Sequence, residues 1–439
     1  MIKDPSEIAN SFNQFFSNVA VQNGDPSMVI PKQIEINRFS MFLHPVTQAE
    51  LLSVIKNLPS KKSTDIDGLS VWVLKQCYMP ILEPLLFLIN ISLEQGEFPQ
   101  SLKQAKVIPI FKKGSSLLMG NFRPISLLPT FSKIFEKIFF IRLSNFLKKF
   151  NIIAENQFGF IEGKNTIAAI NKFLEYTVHK LDEKKKSLSI FLDLKKAFDC
   201  VNHKKLLNTL YLYGIRGIAY NWIKSYLNNR SHQVQIENKI SNPINLHCGV
   251  PQGSILGPIL FILYVNNCKA IELETILNRC KITQYADDTT LSFEGNTFND
   301  LKQLATKKTS SCIEYFKCLD LITNFDKTYF VNFGFSDTDF FKENKINING
   351  VSLQETDHFK FLGIVVDKKI SWDNHIDLVC SKISTGLFLL RKLSYYCRTD
   401  ILRTAYYGII HPHLSYGICL WGNCSESKIQ RILQEKQYE

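Results

Sequence analysis

Three short stretches of the 439-residue sequence carry side chains that could hold a cation or a phosphate. In the first, Phe191–Asp199, the carboxylate of Asp193 ends an apolar run and a turn follows at once. An acid placed there is held by a rigid strand and faces a loop that can admit a ligand. The plainer reading of such an Asp is a helix cap or a turn residue. In the second, Gln284–Thr289, Asp287 and Asp288 are adjacent at a predicted tight hairpin. Neighbouring carboxylates repel unless a cation or hydrogen bonds compensate. Joined by Asp193 they would make a three-carboxylate, oxygen-only cluster, which hard divalent ions such as Mg²⁺ prefer when substrate phosphates complete the shell. A solvated turn is the plain alternative. The third, Gly249–Pro258, has three glycines and two prolines in ten residues. That composition fixes an unusual backbone and leaves it uncovered, which suits close approach of a nucleotide or a template strand, or serves packing alone.

The elements that must position these residues follow from periodicity. Leu188–Leu194 reads as a buried strand leading into Asp193. Lys281–Ala286 and Thr289–Phe293 read as a hairpin around Asp287–Asp288, and Ile259–Asn266 as the helix fed by the glycine-rich loop. Helices are predicted over Ser6–Val19, Gln48–Leu58 with Thr47 as N-cap and Glu50 closing a capping box, Ser132–Phe150, Ile167–Lys184 and Phe298–Leu319. One long apolar helix is predicted across Ser70–Glu97. Lys204–Tyr213 reads as a helix stopped by Gly214. Strands are predicted at Val107–Phe111, Gln233–Ile236 with Ile244–His247, Tyr329–Phe333 and Lys360–Val366. Asn121–Pro129 reads as an extended connection, and the chain after Asn374 as mostly helical.

Hydrophobic content of 45% and aromatic content of 12% argue for a folded globular protein. The net charge of +12 is uneven: residues 101–150 hold ten Lys/Arg against the single acid Glu136, a local +9. Such a stripe can draw nucleic acid or nucleotide phosphate, or can simply be a solvated face. Eleven cysteines without a C-x-x-C pair read as scattered reduced thiols of an intracellular protein, and His411-x-His413 as structural. The N-terminus has no apolar signal core, and no apolar stretch is long enough to span a membrane, so no membrane partner is expected.

Order and combination say more than any single stretch. FLDLKKAFDCVNH (Phe191–His203), GVPQGSILGPILFILYVNN (Gly249–Asn267) and YADD (Tyr285–Asp288) occur in sequence. Around them lie IPIFKKG (Ile108–Gly114), NFRPISLLPTFSKIFEKI (Asn121–Ile138), QFGFIEGKNT (Gln157–Thr166), NFDKTYFVNF (Asn324–Phe333) and FKFLGIVVD (Phe359–Asp367). With these motifs the chain resembles reverse transcriptases, specifically the jockey-like branch of non-LTR (LINE-type) retrotransposons, over roughly residues 45–425.

The resemblance implies an α+β right-hand polymerase whose palm is an antiparallel sheet backed by helices. Residues 1–45 would be an N-terminal extension, 46–185 the fingers, 186–370 the palm and 371–439 a partial helical thumb. It implies RNA-directed DNA synthesis from dNTPs on an RNA template and a DNA primer. Asp193, Asp287 and Asp288, with the backbone carbonyl of Leu194, would hold two Mg²⁺ ions, with Mn²⁺ as a substitute. Lys112 or Lys113 and Arg123 would contact the triphosphate, and Phe198 would be an aromatic steric gate beneath the sugar. Gln252 and Gly253 would lie at the incoming nucleotide, Lys327 near the leaving pyrophosphate, and Phe361-Leu362-Gly363 would form the primer grip. The family's cycle implies a cytoplasmic and nuclear location.

Departures from the pattern are also legible. Nothing resembles the endonuclease of this branch, which is expected elsewhere in an intact element, and no zinc knuckle or RNase H-like region is visible. The chain ends inside or just past the expected thumb, so it reads as a polymerase fragment or the product of a truncated element. A catalytically silent remnant that only binds RNA is the alternative. A maturase-like splicing cofactor is disfavoured, because no basic extension follows the palm.

Overall fold

The computed structural model describes residues 4–18, 36–273, 279–335 and 345–436. It is a mixed α/β chain that divides into two units, each assembled from separated stretches. The first comprises Met1–Ile161, Leu194–Glu274 and Ser311–Thr323, and the second Glu162–Asp193, Thr275–Ser310 and Asn324–Glu439.

In the first unit, the strand Gln104–Phe111 lies antiparallel to Phe122–Leu127 and parallel to Arg230–Ile236. The predicted strand at Val107 begins three residues earlier, because Gln104–Val107 pair with Ser231–Val234. The predicted extended connection at Asn121–Pro129 is mostly a true strand. It tolerates proline because Pro124 faces Pro109, beyond the last pair with Arg230–Ile236, where neither ring need donate to the ladder. The helix Pro5–Asn18 covers this sheet, burying Phe12 and Phe16 against Val107 and Val234 with the Phe122 ring edge-on to Phe12 at 5.0 Å.

Two expectations about helices are corrected. The long helix across Ser70–Glu97 is broken into Val71–Cys77 and Leu82–Gln95 with the 3₁₀ turn Met79–Ile81 between, and the arm Met79–Gln95 is bent by 83° from the first. Pro80, between them, cannot donate to an α-helical ladder. No single described helix is long and apolar enough to cross a membrane, and this bent pair passes only by length and composition. Thr47 does cap Gln48–Asn57, its hydroxyl accepting the Glu50 N–H at 3.2 Å. The Glu50 carboxylate does not close a capping box; it pairs with Arg142 of the helix Thr130–Lys149 at 2.7 Å. The helix Gly217–Leu227 carries no counterpart in the sequence reading. It places Trp222 flat on Phe139, with ring centroids 4.2 Å apart.

The helix Leu256–Val265 is apolar on all sides and almost wholly buried, as such helices must be. Its N-terminus is held from another helix. Glu136, fully buried in Thr130–Lys149, accepts the Ile255 and Leu256 N–H groups at 2.8 and 3.2 Å and the Ser132 hydroxyl at 2.9 Å. Burial pushes the Glu136 carboxyl pKa up, and Arg230 and the two helix amides pull against it.

The second unit is built on a five-stranded sheet in the order Gln354–Glu355, Tyr329–Phe333, Lys186–Leu192, Asp288–Gly295, Cys280–Tyr285. All neighbours are antiparallel except the short first pair. Phe173 of the helix Thr166–Asp182 packs among Phe191, Phe333, Phe359 and Phe361. Ile376, Val379 and Ile383 of the helix Asp373–Ser394 join the same core. The single strand predicted at Lys360–Val366 is instead a hairpin, His358–Phe361 with Ile364–Asp367. It folds at Leu362–Gly363, with φ of +46° and +99°, the two positive angles of a tight two-residue hairpin loop.

Replacing Glu136 by Ala would leave two helix amides and the buried Arg230 charge without their carboxylate. We expect a loss of about 3–5 kcal/mol, measured as a shift of the denaturant midpoint, with Glu136→Gln losing less. An unchanged midpoint for the alanine variant would contradict this role.

Candidate active site

The acidic residues of the second unit gather through strand register. Cys280–Tyr285 and Asp288–Gly295 form a hairpin whose last pair is Tyr285 with Asp288, so Ala286 and Asp287 make the turn. Ala286 is buried with φ of +56°, a region in which a side chain costs about 1–2 kcal/mol. The last pair between Lys186–Leu192 and Asp288–Gly295 is Leu192 with Thr289. Asp193 is one residue beyond it and Asp288 one residue before, so the three carboxylates belong to one end of the sheet. The Tyr329 hydroxyl reports the crowding: burial, then the charges of Asp288 and Asp193, push its pKa up to about 12.

Asp193 has partners of its own. Its Oδ2 accepts the Asn324 side-chain amide at 2.7 Å and lies 3.4 Å from Lys327 Nζ, while its carbonyl accepts the Asn324 N–H at 2.8 Å. Asn324 is thus tied to Asp193 by backbone and side chain. Sequence reasoning singled out Lys327 in the same NFDKT motif and missed the role of this asparagine, whose partner lies 131 positions away in the chain. Among the described residues no group of three or more His, Cys, Asp or Glu side chains converges as a ready metal site. The Asp193 carboxylate turns toward Asn324 and Lys327. The donor set still fits a hard divalent ion. All three side chains offer only oxygen, and Asp193 is 28% exposed, with Asp288 open to solvent, so a hydrated ion can reach them. Leu194 lies in the first unit, paired with Thr323.

Apart from Lys327, the residues predicted to read a nucleotide lie in the first unit. Phe198 is half-buried, stacked on Phe261 at 4.4 Å with Phe160 edge-on at 6.3 Å. The glycine-rich loop is laced to the segment after Phe198: Val250 N–H donates to the Phe198 carbonyl at 2.9 Å, and Gly249 N–H to Val201 at 2.8 Å. The Gln252 carbonyl accepts the Ser126 N–H at 2.8 Å, and its side-chain amide donates to Asp199 at 2.9 Å. Gly253 has φ of +118°, and a Cβ there would meet the Ser126 carbonyl at 2.5 Å.

Lys112, Lys113 and Arg123 are exposed at the open end of the strand pair Gln104–Phe111 and Phe122–Leu127. The basic stripe is not one surface, however. Lys103 and Lys106 are buried, Lys106 Nζ donating to the Asp65 carbonyl at 2.8 Å, and Arg142 is spent on Glu50. In the second unit, the Phe361 side chain is buried and the Leu362 carbonyl accepts the Tyr416 hydroxyl. A Cβ on Gly363 would lie 3.1 Å from the Tyr416 ring.

Residues 110–366, more than half of the chain, match the family model described as reverse transcriptase (RNA-dependent DNA polymerase). The chain is 28% identical over 432 residues to the probable RNA-directed DNA polymerase from transposon BS of Drosophila melanogaster, covering 95% of this chain and 46% of that protein. It is 28% identical over 425 residues to the RNA-directed DNA polymerase from mobile element jockey of the same species, covering 91% and 44%. With the probable RNA-directed DNA polymerase from transposon X-element, also of D. melanogaster, it shares 26% identity over 404 residues, covering 90% and 43%. The chain therefore spans just under half the length of these curated relatives.

The glycine geometry makes a direct prediction. Gly253→Ala meets both a positive φ and a backbone contact, and should cost at least ~1 kcal/mol of stability. Gly408→Ala, in the helix Thr399–Ile409 with nothing within 4 Å of its added methyl, should gain about 0.5–1 kcal/mol. Thermal unfolding of the two variants should shift in opposite directions; a shift in the same direction would refute the assignment.

Proposed function

The chain belongs to the reverse transcriptase (RNA-dependent DNA polymerase) family, and from that premise we propose that it transfers deoxynucleotides from dNTPs to a primer 3′-hydroxyl on an RNA template, as the polymerase core of a jockey-like retrotransposon. The observation that carries this reading is the register that brings Asp193 and Asp287–Asp288 to one end of the sheet. Residues 46–185 are read as fingers, 186–370, which include the second unit's five-stranded sheet, as palm, and 371–439 as helical thumb.

Asp193, Asp287 and Asp288, with the Leu194 carbonyl, would hold two Mg²⁺ ions. Bound there, such ions lower the pKa of an attacking hydroxyl and neutralise charge on a triphosphate and its leaving group. Asn324 keeps the Asp193 carboxylate in one orientation, the service that outer partners give metal ligands. Lys327, beside Asp193, is a cation suited to a departing pyrophosphate. Lys112, Lys113 and Arg123 are exposed cations suited to the phosphates of the incoming nucleotide. Phe198, backed by Phe261, is a rigid flat surface that leaves no space for a 2′-hydroxyl, so ribonucleotides are rejected by overlap. Gln252 and Gly253 contact the nucleotide from the loop, and the Leu362–Gly363 turn, braced by Tyr416, grips the primer.

Primer extension on poly(rA)/oligo(dT) with Mg²⁺ tests this directly. Asp193→Asn and Asp287→Asn should each abolish extension without loss of fold; extension near the wild-type rate by either would sink the assignment. Asn324→Ala should lower activity about 10–100-fold and raise the Mg²⁺ concentration needed. Phe198→Ala should keep dNTP use and admit rNTPs; a constant rNTP/dNTP ratio in a folded variant would make Phe198 a packing residue only.

A further inference from the structure

Asp199 has no role in the proposed function, yet its carboxylate accepts a hydrogen bond from Gln252 of the glycine-rich loop at 2.9 Å. Its backbone N–H donates to the Lys196 carbonyl at 3.0 Å. A Cβ on Gly249 would lie 2.8 Å from its carbonyl oxygen, so segment and loop touch backbone to backbone. The His203 ring also hydrogen-bonds the Gly249 carbonyl at 2.8 Å. With the two loop amides given to Val201 and Phe198, and Gln252 tied through its carbonyl to Ser126, the backbone on both sides of the Asp199–Gln252 hydrogen bond is fixed. The freedom that remains is which end of the Gln252 amide faces the acid.

We propose that Asp199 is a positioning residue for nucleotide recognition: by accepting the Gln252 Nε2–H it turns the amide oxygen Oε1 outward, toward a hydrogen-bond donor on the incoming nucleotide. The inference rests on the reading of the chain as a reverse transcriptase. An ionised carboxylate only accepts, so the amide nitrogen must face it and Oε1 must face away. A polymerase that copies any template must read a feature common to all four dNTPs. The one donor that every dNTP carries on its sugar is the 3′-hydroxyl, and an outward Oε1 is its complement.

The arrangement has a proton dependence. Burial moves the Asp199 carboxyl up to about 6, against the pull of Gln252 and Lys196. The other groups facing it are the Cys200 and Cys248 thiols, pushed up to about 11, His232, down to about 4, His203, lowered by burial, and Arg230, which lines the same cavity of about 50 Å³. Above pH 6 the ionised acid enforces one amide orientation. Below it the neutral acid can donate to Oε1, the amide can turn over, and the nucleotide loses its acceptor in a fraction of molecules.

Asp199→Asn donates and accepts at every pH, so it removes the enforcement with little change in shape. Steady-state extension from pH 5 to 8 should show the wild-type KM for dNTP rising severalfold as pH falls through 6, with kcat less affected. Asp199→Asn should show a raised KM with that inflection lost. Combined with Gln252→Ala it should be no worse than Gln252→Ala alone, because both changes remove one contact. A wild-type KM and pH profile in Asp199→Asn, or full additivity with Gln252→Ala, would overturn the proposal. NMR separates this outcome from failure of the polymerase reading. The Gln252 side-chain amide should titrate together with the Asp199 carboxyl near pH 6 in the wild-type protein and not in Asp199→Asn. A protein that extends no primer but shows this titration defeats the functional reading and leaves the positioning contact standing. An amide that ignores the carboxyl defeats the positioning contact whatever the activity.

Discussion

A single buried carboxylate sets where the glycine-rich loop can be. The helix Leu256–Val265 begins with no cap at Ile255, and its first amides sit in the protein interior, where an unpartnered N–H is costly. Ser254 takes the Gly257 N–H at 2.8 Å, and Glu136 takes those of Ile255 and Leu256. A negative charge at a helix N-terminus is favourable in itself, and the Arg230 guanidinium offsets what its burial costs. The loop from Gly249 to Ser254 runs directly into these anchored amides. Its other contacts, to Ser126 on one side and the Phe198–His203 segment on the other, can then be short and specific.

The acidic end of the second unit rests on different physics. Register alone decides that Asp193 and Asp288 are neighbours, because a one-residue slip of either strand would move its whole set of side chains to the other face. The sheet cannot slip: its faces bury Ile190, Leu291 and Phe330 completely. Packing therefore sustains both the crowding of like charges and the strained Ala286, as functional sites commonly require. Asn324 and Lys327 give Asp193 polar partners that a hydrated cation can later share or displace.

Local patterns were legible in the sequence and remote partnerships were not. The hairpin around Asp287–Asp288 announced itself by alternation and a polar turn, and Thr47 by its hydroxyl ahead of a helical period. Tyr329–Phe333 matches the predicted strand residue for residue. The break at Pro80 was hidden by apolar residues on both sides, and the Leu362–Gly363 turn by a leucine that seldom adopts positive φ. Asn324 and Asp193 are 131 positions apart, so no periodicity links them. Glu136 read as the lone acid in a basic stripe, when it is a buried cap for a helix more than a hundred residues on. The family motifs supplied what periodicity could not: which of many polar residues belong to one chemistry.

The Tyr416 hydroxyl also has a temporal meaning. It meets Thr166 at 2.9 Å across 250 positions of chain. At roughly 5–20 residues per second of synthesis, Tyr416 leaves the ribosome some ~12–50 s after Thr166. Throughout that interval the strand Lys186–Leu192 lacks Tyr329–Phe333 or the helices that close its core, while much of the first unit can already pack. The nascent chain thus presents an aromatic-rich, half-built sheet to the cell before its acidic end is complete. Contacts this distant make folding slow and aggregation-exposed, so the second unit carries a cost during synthesis that its finished core does not show.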